Sequence, residues 1–247
     1  MTEKESPRPL DLLGGLATQD VEIAPGLRHI EIFTLKGLLT VLWHGNPSAE
    51  RVVLMFGGAM GGLLGPANGL YQDLATTFAA QGIGVLRVGY RRPGDLDSCT
   101  IDVSAAADLA WRGGARKFVV VGHSFGGAVA VRVGISIPQA VMGVVTLASP
   151  SCSTPSATAT IPNAVVGVVT LATQSAGCET AANLRGRPLL LLHGDRDELL
   201  PLAVSETVRD LAGSGELVVL KGTGHLMTEA AEELRTRLGA WIPEALA

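Results

Sequence analysis

Residues Lys117 to Gly127 read KFVVVGHSFGG, and the architecture turns on how that stretch is understood. Phe118 to Val121 are apolar without interruption, which describes a strand buried on both faces rather than one with a wet side. Helical character follows in FGGAVAVRVGI, residues 125–135, so the chain passes from strand to helix across Ser124. A turn that sharp puts its apex residue in strained backbone, and the positions two before and two after it must lack side chains. Gly122 and Gly126 meet that requirement in the pattern Gly122-His123-Ser124-Phe125-Gly126. In a chain with 31 glycines the pattern alone means little. Its position at a strand-to-helix junction is what gives it weight.

Similar apolar runs occur along the chain: RVVLMFGG (51–58), GIGVLRVGY (82–90), AVMGVVTLA (140–148), RPLLLLHG (187–194) and GELVVLKG (215–222). Helix-like stretches alternate with them, at 68–81, 101–113, 125–135, 202–213 and 227–242. This alternation predicts an α/β fold, a mostly parallel central sheet flanked by helices and joined by right-handed crossovers. VEIAPGLRHIEIFTLKGLLTVLWHG, residues 21–45, predicts an antiparallel start with a turn at Lys36-Gly37. In such sheets ligands sit beyond the carboxyl ends of the strands.

The chain has 247 residues, 47 % hydrophobic and 17 % charged, with a formal charge of −4. That length buries about 70 to 75 % of the unfolded surface. No basic tract is present, which argues against a nucleic-acid partner. Cys99, Cys152 and Cys178 lack metal-ligand spacing, and no histidine pair stands at helical ligand spacing, so no metal is expected. The opening MTEKESPRPLDLLGGL has no apolar signal-peptide core, giving an expected cytoplasmic location. Residues 1–19 are expected to form a flexible tail and 20–247 a single domain. Prolines 138, 150, 155 and 162 divide the uncharged stretch between Arg132 and Glu179 into pieces too short for the ~20 residues of a membrane span.

IPQAVMGVVTLASPS (137–151) recurs as IPNAVVGVVTLATQS (161–175), with 11 of 15 positions identical at an offset of 24. Two copies are too few for a solenoid, so this is a local tandem duplication. One copy fills a sheet position readily; the other must pack elsewhere, and a homodimer formed through it is one expectation.

A serine hydroxyl needs a base, and the base needs an orienting carboxylate. LLLLHGDRDELLP places Asp195 and Asp197 after one apolar run, and LVVLKGTGHLMTE places His225 after the next. The order serine, acid, histidine, on three strand-end loops, resembles the α/β-hydrolase superfamily from about residue 22 to the C-terminus. The resemblance implies that Ser124 is nucleophile, His225 base and Asp197 the acid, matching H-G-x-x-D in His193-Gly194-Asp195-Arg196-Asp197. Asp195 is then a turn residue. It also implies an oxyanion hole from the N–H groups of Phe125 and of Gly58, the latter within Phe56-Gly57-Gly58-Ala59. Phe56 stands where the family commonly has histidine, a departure that bears on the support of that loop rather than on the donor itself.

The expected activity is hydrolysis of a small carboxylic ester or thioester without a cofactor. Perhydrolysis, carbon–carbon hydrolysis, hydroxynitrile lysis and non-catalytic ligand binding on the same scaffold are the alternatives. No long insert precedes the acid loop, so no large cap is expected. His123 is expected to pack or bond to backbone, His193 to brace the acid loop, and the cysteines to be inert. His29 and His44 are placed far from the site. Arg91, Arg92, Asp95 and Asp97 are read as a solvated loop or as an arginine selecting an acidic substrate.

Overall fold

The alternation of apolar and polar residues at the start of the chain builds an antiparallel wing. The structure, a computed structural model, describes residues 8–136, 164–184 and 186–247. Strands β1 (Gly15–Ala24), β2 (Leu27–Thr34) and β3 (Gly37–His44) pair antiparallel in sequence order. The turn expected at Lys36-Gly37 joins β2 to β3, and a second turn at Pro25-Gly26, absent from the sequence reading, joins β1 to β2. Ile30, Ile32, Leu39, Val41 and Trp43 lie on the buried face of this wing.

The apolar runs become the inner strands. They are β4 (Arg51–Phe56), β5 (Gly84–Gly89), β6 (Lys117–His123), β7 (Val165–Leu171), β8 (Leu189–Gly194) and β9 (Glu216–Leu220). Among the described residues one sheet of nine strands runs β1-β2-β3-β5-β4-β6-β7-β8-β9. All pairings from β5 to β9 are parallel, while β3 meets β5 antiparallel.

Both faces of the inner sheet are covered, which explains the uninterrupted apolar runs. Val52, Leu54 and Phe56 join Phe118 and Val120 on one face, against α3 (Leu96–Gly113) and α4 (Phe125–Ser136). Val53, Met55, Val119 and Val121 point to the other, against α2 (Pro66–Ala80) and the C-terminal helix α6 (Ala231–Ala245). Among the described residues the remaining α-helices are α1 (Pro9–Leu12) and α5 (Ala203–Ala212), whose Val208 joins the first core. No cap domain is built from the described residues.

Three expectations need correction or completion. The flexible tail expected over residues 1–19 is, from Arg8 on, a helical turn and the first half of β1. Buried Asp108 of α3 pins it, accepting from the Leu10 N–H at 3.2 Å and pairing with the Arg8 guanidinium at 2.5 Å. β7 comes from the second copy of the duplication. The first copy, 137–151, lies outside the described residues, and so does the dimer expectation resting on it. Among the described residues no helix is long and apolar enough to cross a membrane.

Because β4 to β9 are parallel, their carboxyl ends share one edge. The loops after β4, β6, β8 and β9 therefore meet there, and they carry Gly58, Ser124, Asp197 and His225.

Candidate active site

Ser124 takes φ +57°, a left-handed backbone that a residue with a Cβ adopts only under constraint. The constraint comes from both sides: the Ser124 N–H donates to the Leu171 carbonyl at 2.8 Å, and the Ser124 carbonyl accepts from the Gly127 N–H at 2.9 Å. The flanking glycines are sterically required. A Cβ on Gly122 would stand 1.9 Å from the Gly126 carbonyl oxygen, and one on Gly126 would stand 2.4 Å from that of Gly57. Gly127 is equally crowded, by the Thr173 hydroxyl at 2.2 Å. The first turn of a helix has no intrahelical partner for its N–H groups, and α4 begins at Phe125, the residue directly after Ser124.

The structure brings the three distant loops together. His225 Nε2 lies 3.0 Å from Ser124 Oγ, and His225 Nδ1 lies 2.7 Å from Asp197 Oδ2. The Asp197 side chain is fully buried. Its other oxygen, Oδ1, accepts from the Leu199 N–H at 2.9 Å and the Leu200 N–H at 2.8 Å. Burial alone would raise the pKa of this carboxyl; the bonds from Leu200, His225 and Leu199 outweigh it and hold the group below the usual carboxylate range. Asp197 is thus an anion whose three hydrogen bonds orient it, and the Nδ1 proton of His225 is donated to it. With that tautomer, Nε2 is free to accept from the serine hydroxyl.

Asp195 has a role wider than a local turn. Its Oδ1 accepts from the Gly222 N–H at 2.6 Å, and its own N–H donates to the Leu220 carbonyl at 3.1 Å, so it ties the acid loop to the histidine loop. Gly194 makes room for this contact, since a Cβ there would meet the Thr223 carbonyl oxygen at 2.0 Å. His193 holds the far side of the acid loop: one ring nitrogen lies 2.7 Å from the Leu200 carbonyl and the other 2.7 Å from the Ser205 hydroxyl. The Ala67 N–H donates to the Leu226 carbonyl at 2.8 Å and steadies the histidine loop from the start of α2.

Gly58 lies against Ser124; a Cβ on it would stand 3.3 Å from Ser124 Cβ and 3.7 Å from Oγ. Gly58 and Gly61 form an isolated antiparallel bridge, with the Gly61 N–H donating to the Gly58 carbonyl at 2.9 Å. Two buried tyrosines, which the sequence reading did not single out, hold this loop. The Tyr71 hydroxyl donates to the Phe56 carbonyl at 3.0 Å and the Tyr90 hydroxyl to the Gly57 carbonyl at 3.1 Å. Tyr90 was visible as a polar-tipped aromatic at the carboxyl end of an apolar run; Tyr71 sat within a helical pattern and carried no signal.

Arg91 is neither solvated nor turned to the site. Its N–H and guanidinium both donate to buried Asp102 of α3, at 2.8 and 2.5 Å. Asp95 caps α3 through the Ser98 N–H, and Asp97 pairs with Arg132. Burial pushes the thiols of Cys99 and Cys178 up to about 12, so both are protonated and unreactive.

His123 turns its ring beside that of His225, with centroids 5.1 Å apart, and its Nε2–H donates to the His225 carbonyl at 3.0 Å. Burial pushes its pKa down to about 4, against the opposing effect of that hydrogen bond. An unfolded histidine titrates near ~6.5, so between the two values the unfolded chain binds a proton that the folded chain refuses. Stability therefore rises with pH across this window and falls on acidification. The expected loss from His123 between pH 7 and pH 5 is roughly 2 kcal/mol, read as a lower urea midpoint. His123→Asn should flatten that part of the curve, and an unaltered slope in the variant would assign it to another group.

Neither a family model nor a curated protein sequence matches the chain. Solved structures do. A dienelactone hydrolase from Anabaena variabilis is similar at a TM-score of 0.68 with 15 % identity, over 93 % of this chain and 99 % of that one. Est1E from Butyrivibrio proteoclasticus is similar at 0.65 with 15 % identity, over 88 % and 98 %. A serine hydrolase without a lid from Xanthomonas campestris gives 0.62 with 17 % identity, over 92 % and 98 %. At such identities a likeness speaks for architecture alone, and it agrees with the strand order and edge geometry described above: the chain has the α/β-hydrolase fold.

Proposed function

We propose that this protein is a serine hydrolase acting on small carboxylic esters or thioesters through an acyl-enzyme. The observation that carries the reading is the unbroken series from the Ser124 hydroxyl to the His225 imidazole to the Asp197 carboxylate, at 3.0 and 2.7 Å. In the first half-reaction Ser124 Oγ bonds to the substrate carbonyl carbon while its proton passes to His225 Nε2. Asp197 stabilises the imidazolium and keeps its orientation. The Phe125 and Gly58 N–H groups hold the negative oxygen of the tetrahedral intermediate. Collapse breaks the bond to the alcohol or thiol, which leaves with the proton from His225. Water then repeats the sequence on the acyl-enzyme, releasing the acid and restoring the serine.

The names of the similar structures, an esterase from Pyrococcus furiosus and a dienelactone hydrolase among them, agree with ester chemistry. The loops that carry Gly58, Asp197 and His225 also carry exposed apolar side chains, Met60, Leu64, Leu199 and Leu226. Burying such groups against a ligand is favourable, so the substrate we propose is uncharged with an apolar acyl or alcohol portion. A fluorophosphonate should modify the protein once, at Ser124, as read by peptide mass spectrometry. Modification elsewhere, or none after prolonged incubation, would overturn the reading.

A further inference from the structure

We infer that Tyr90 is a positioning residue for the oxyanion hole, supplying the support that the loop after β4 lacks with phenylalanine at position 56. The inference rests on the reading that the Gly58 and Phe125 N–H groups receive the oxyanion. A peptide unit is planar and trans, so its carbonyl and the following N–H point in opposite directions. By donating to the Gly57 carbonyl at 3.1 Å, the Tyr90 hydroxyl determines which way the Gly58 N–H leaves the same peptide plane.

The ring adds a second constraint. It lies between Phe56 and Phe125, with centroids 6.2 Å and 6.5 Å away, the second contact edge-on. One aromatic side chain thus touches the residue that opens the Gly58 loop and the residue that bears the other N–H donor. Burial holds the phenol neutral, with Cys99, Tyr71 and Asp102 adding to the effect, so it remains a donor. Tyr90 is itself held from behind, because the next residue, Arg91, is locked to Asp102 through both its N–H and its guanidinium.

Tyr71 provides the internal comparison. Its hydroxyl is also buried and also donates to a carbonyl of this loop, that of Phe56, but the N–H in that peptide unit belongs to Gly57 rather than to Gly58. Both hydroxyls brace the loop, and only one sets the direction of a proposed donor.

The experiment compares Tyr90→Phe and Tyr71→Phe with the parent, using the rate of fluorophosphonate labelling at Ser124, turnover of p-nitrophenyl acetate and thermal denaturation. Losing an oxyanion donor outright costs about 10²- to 10³-fold in kcat, and misdirecting one should cost Tyr90→Phe roughly 10- to 100-fold in both labelling rate and kcat, with KM little changed. Tyr71→Phe should lose comparable thermal stability yet keep both rates within about threefold of the parent. Equal losses in the two variants, or a Tyr90→Phe labelling rate matching the parent, would overturn the inference while leaving the serine reading intact. A parent protein that is not labelled at Ser124 overturns the reading beneath it, and the inference with it.

Discussion

Ser124→Ala is expected to abolish ester turnover and fluorophosphonate labelling while leaving the fold unchanged. The loss in kcat should be on the order of 10⁶-fold, because removing the nucleophile of a serine–histidine pair disables the whole relay and leaves only binding and oxyanion stabilisation. The fold should tolerate the change. Ser124 is held through its backbone, by Leu171 and Gly127, and neither bond uses the hydroxyl. Alanine keeps the Cβ already present at φ +57°, so the strain of the turn is the same in both proteins. Titrating p-nitrophenyl acetate turnover against enzyme concentration, with thermal denaturation alongside, checks both halves. Turnover within tenfold of the parent in a well-folded variant would place the chemistry at another group.

What could be read in advance was whatever depended on neighbours along the chain. A strand buried on both faces writes itself as a continuous apolar run, and Val52–Phe56 and Phe118–Val121 lie on such strands. The requirement for glycine at 122 and 126 follows from one local turn, and the crowding there is what that turn demands. Contacts between distant segments left no such trace. The placement of Arg8 and Leu10 depends on Asp108, 98 positions beyond Leu10, and a mixed polar stretch looks the same whether or not a partner awaits it. Arg91 read as solvated because Asp102 is eleven residues on, across the turn into α3. Asp195 and Asp197 are two apart and chemically identical; residue type could not separate them, and the resemblance selected one. The structure separates them by direction, Asp195 reaching Gly222 and Asp197 reaching His225. The duplication could not be assigned to a strand either, since its two copies offer nearly the same apolar run.

Asp197→Asn should lower kcat by about 10⁴-fold with little change in stability, a penalty that comes from a misplaced proton rather than a lost contact. An asparagine has one acceptor oxygen and one donor NH₂ group. The Oδ1 position receives two backbone N–H groups, from Leu199 and Leu200, at 2.9 and 2.8 Å. The amide oxygen must occupy that position, since turning the NH₂ toward two donors would leave buried groups facing one another without an acceptor. The NH₂ then faces His225 Nδ1, which can only accept. The imidazole proton moves to Nε2, and a ring that donates toward Ser124 Oγ cannot take the serine proton. The loop survives because its backbone bonds do, and Asp195 still ties it to Gly222. Nitrogen NMR of the imidazole should show the exchange of tautomer directly, with Nδ1 changing from protonated to bare. If the variant retains the parent tautomer and turns over at a comparable rate, Asp197 does not orient His225, and the proposed relay loses its third member.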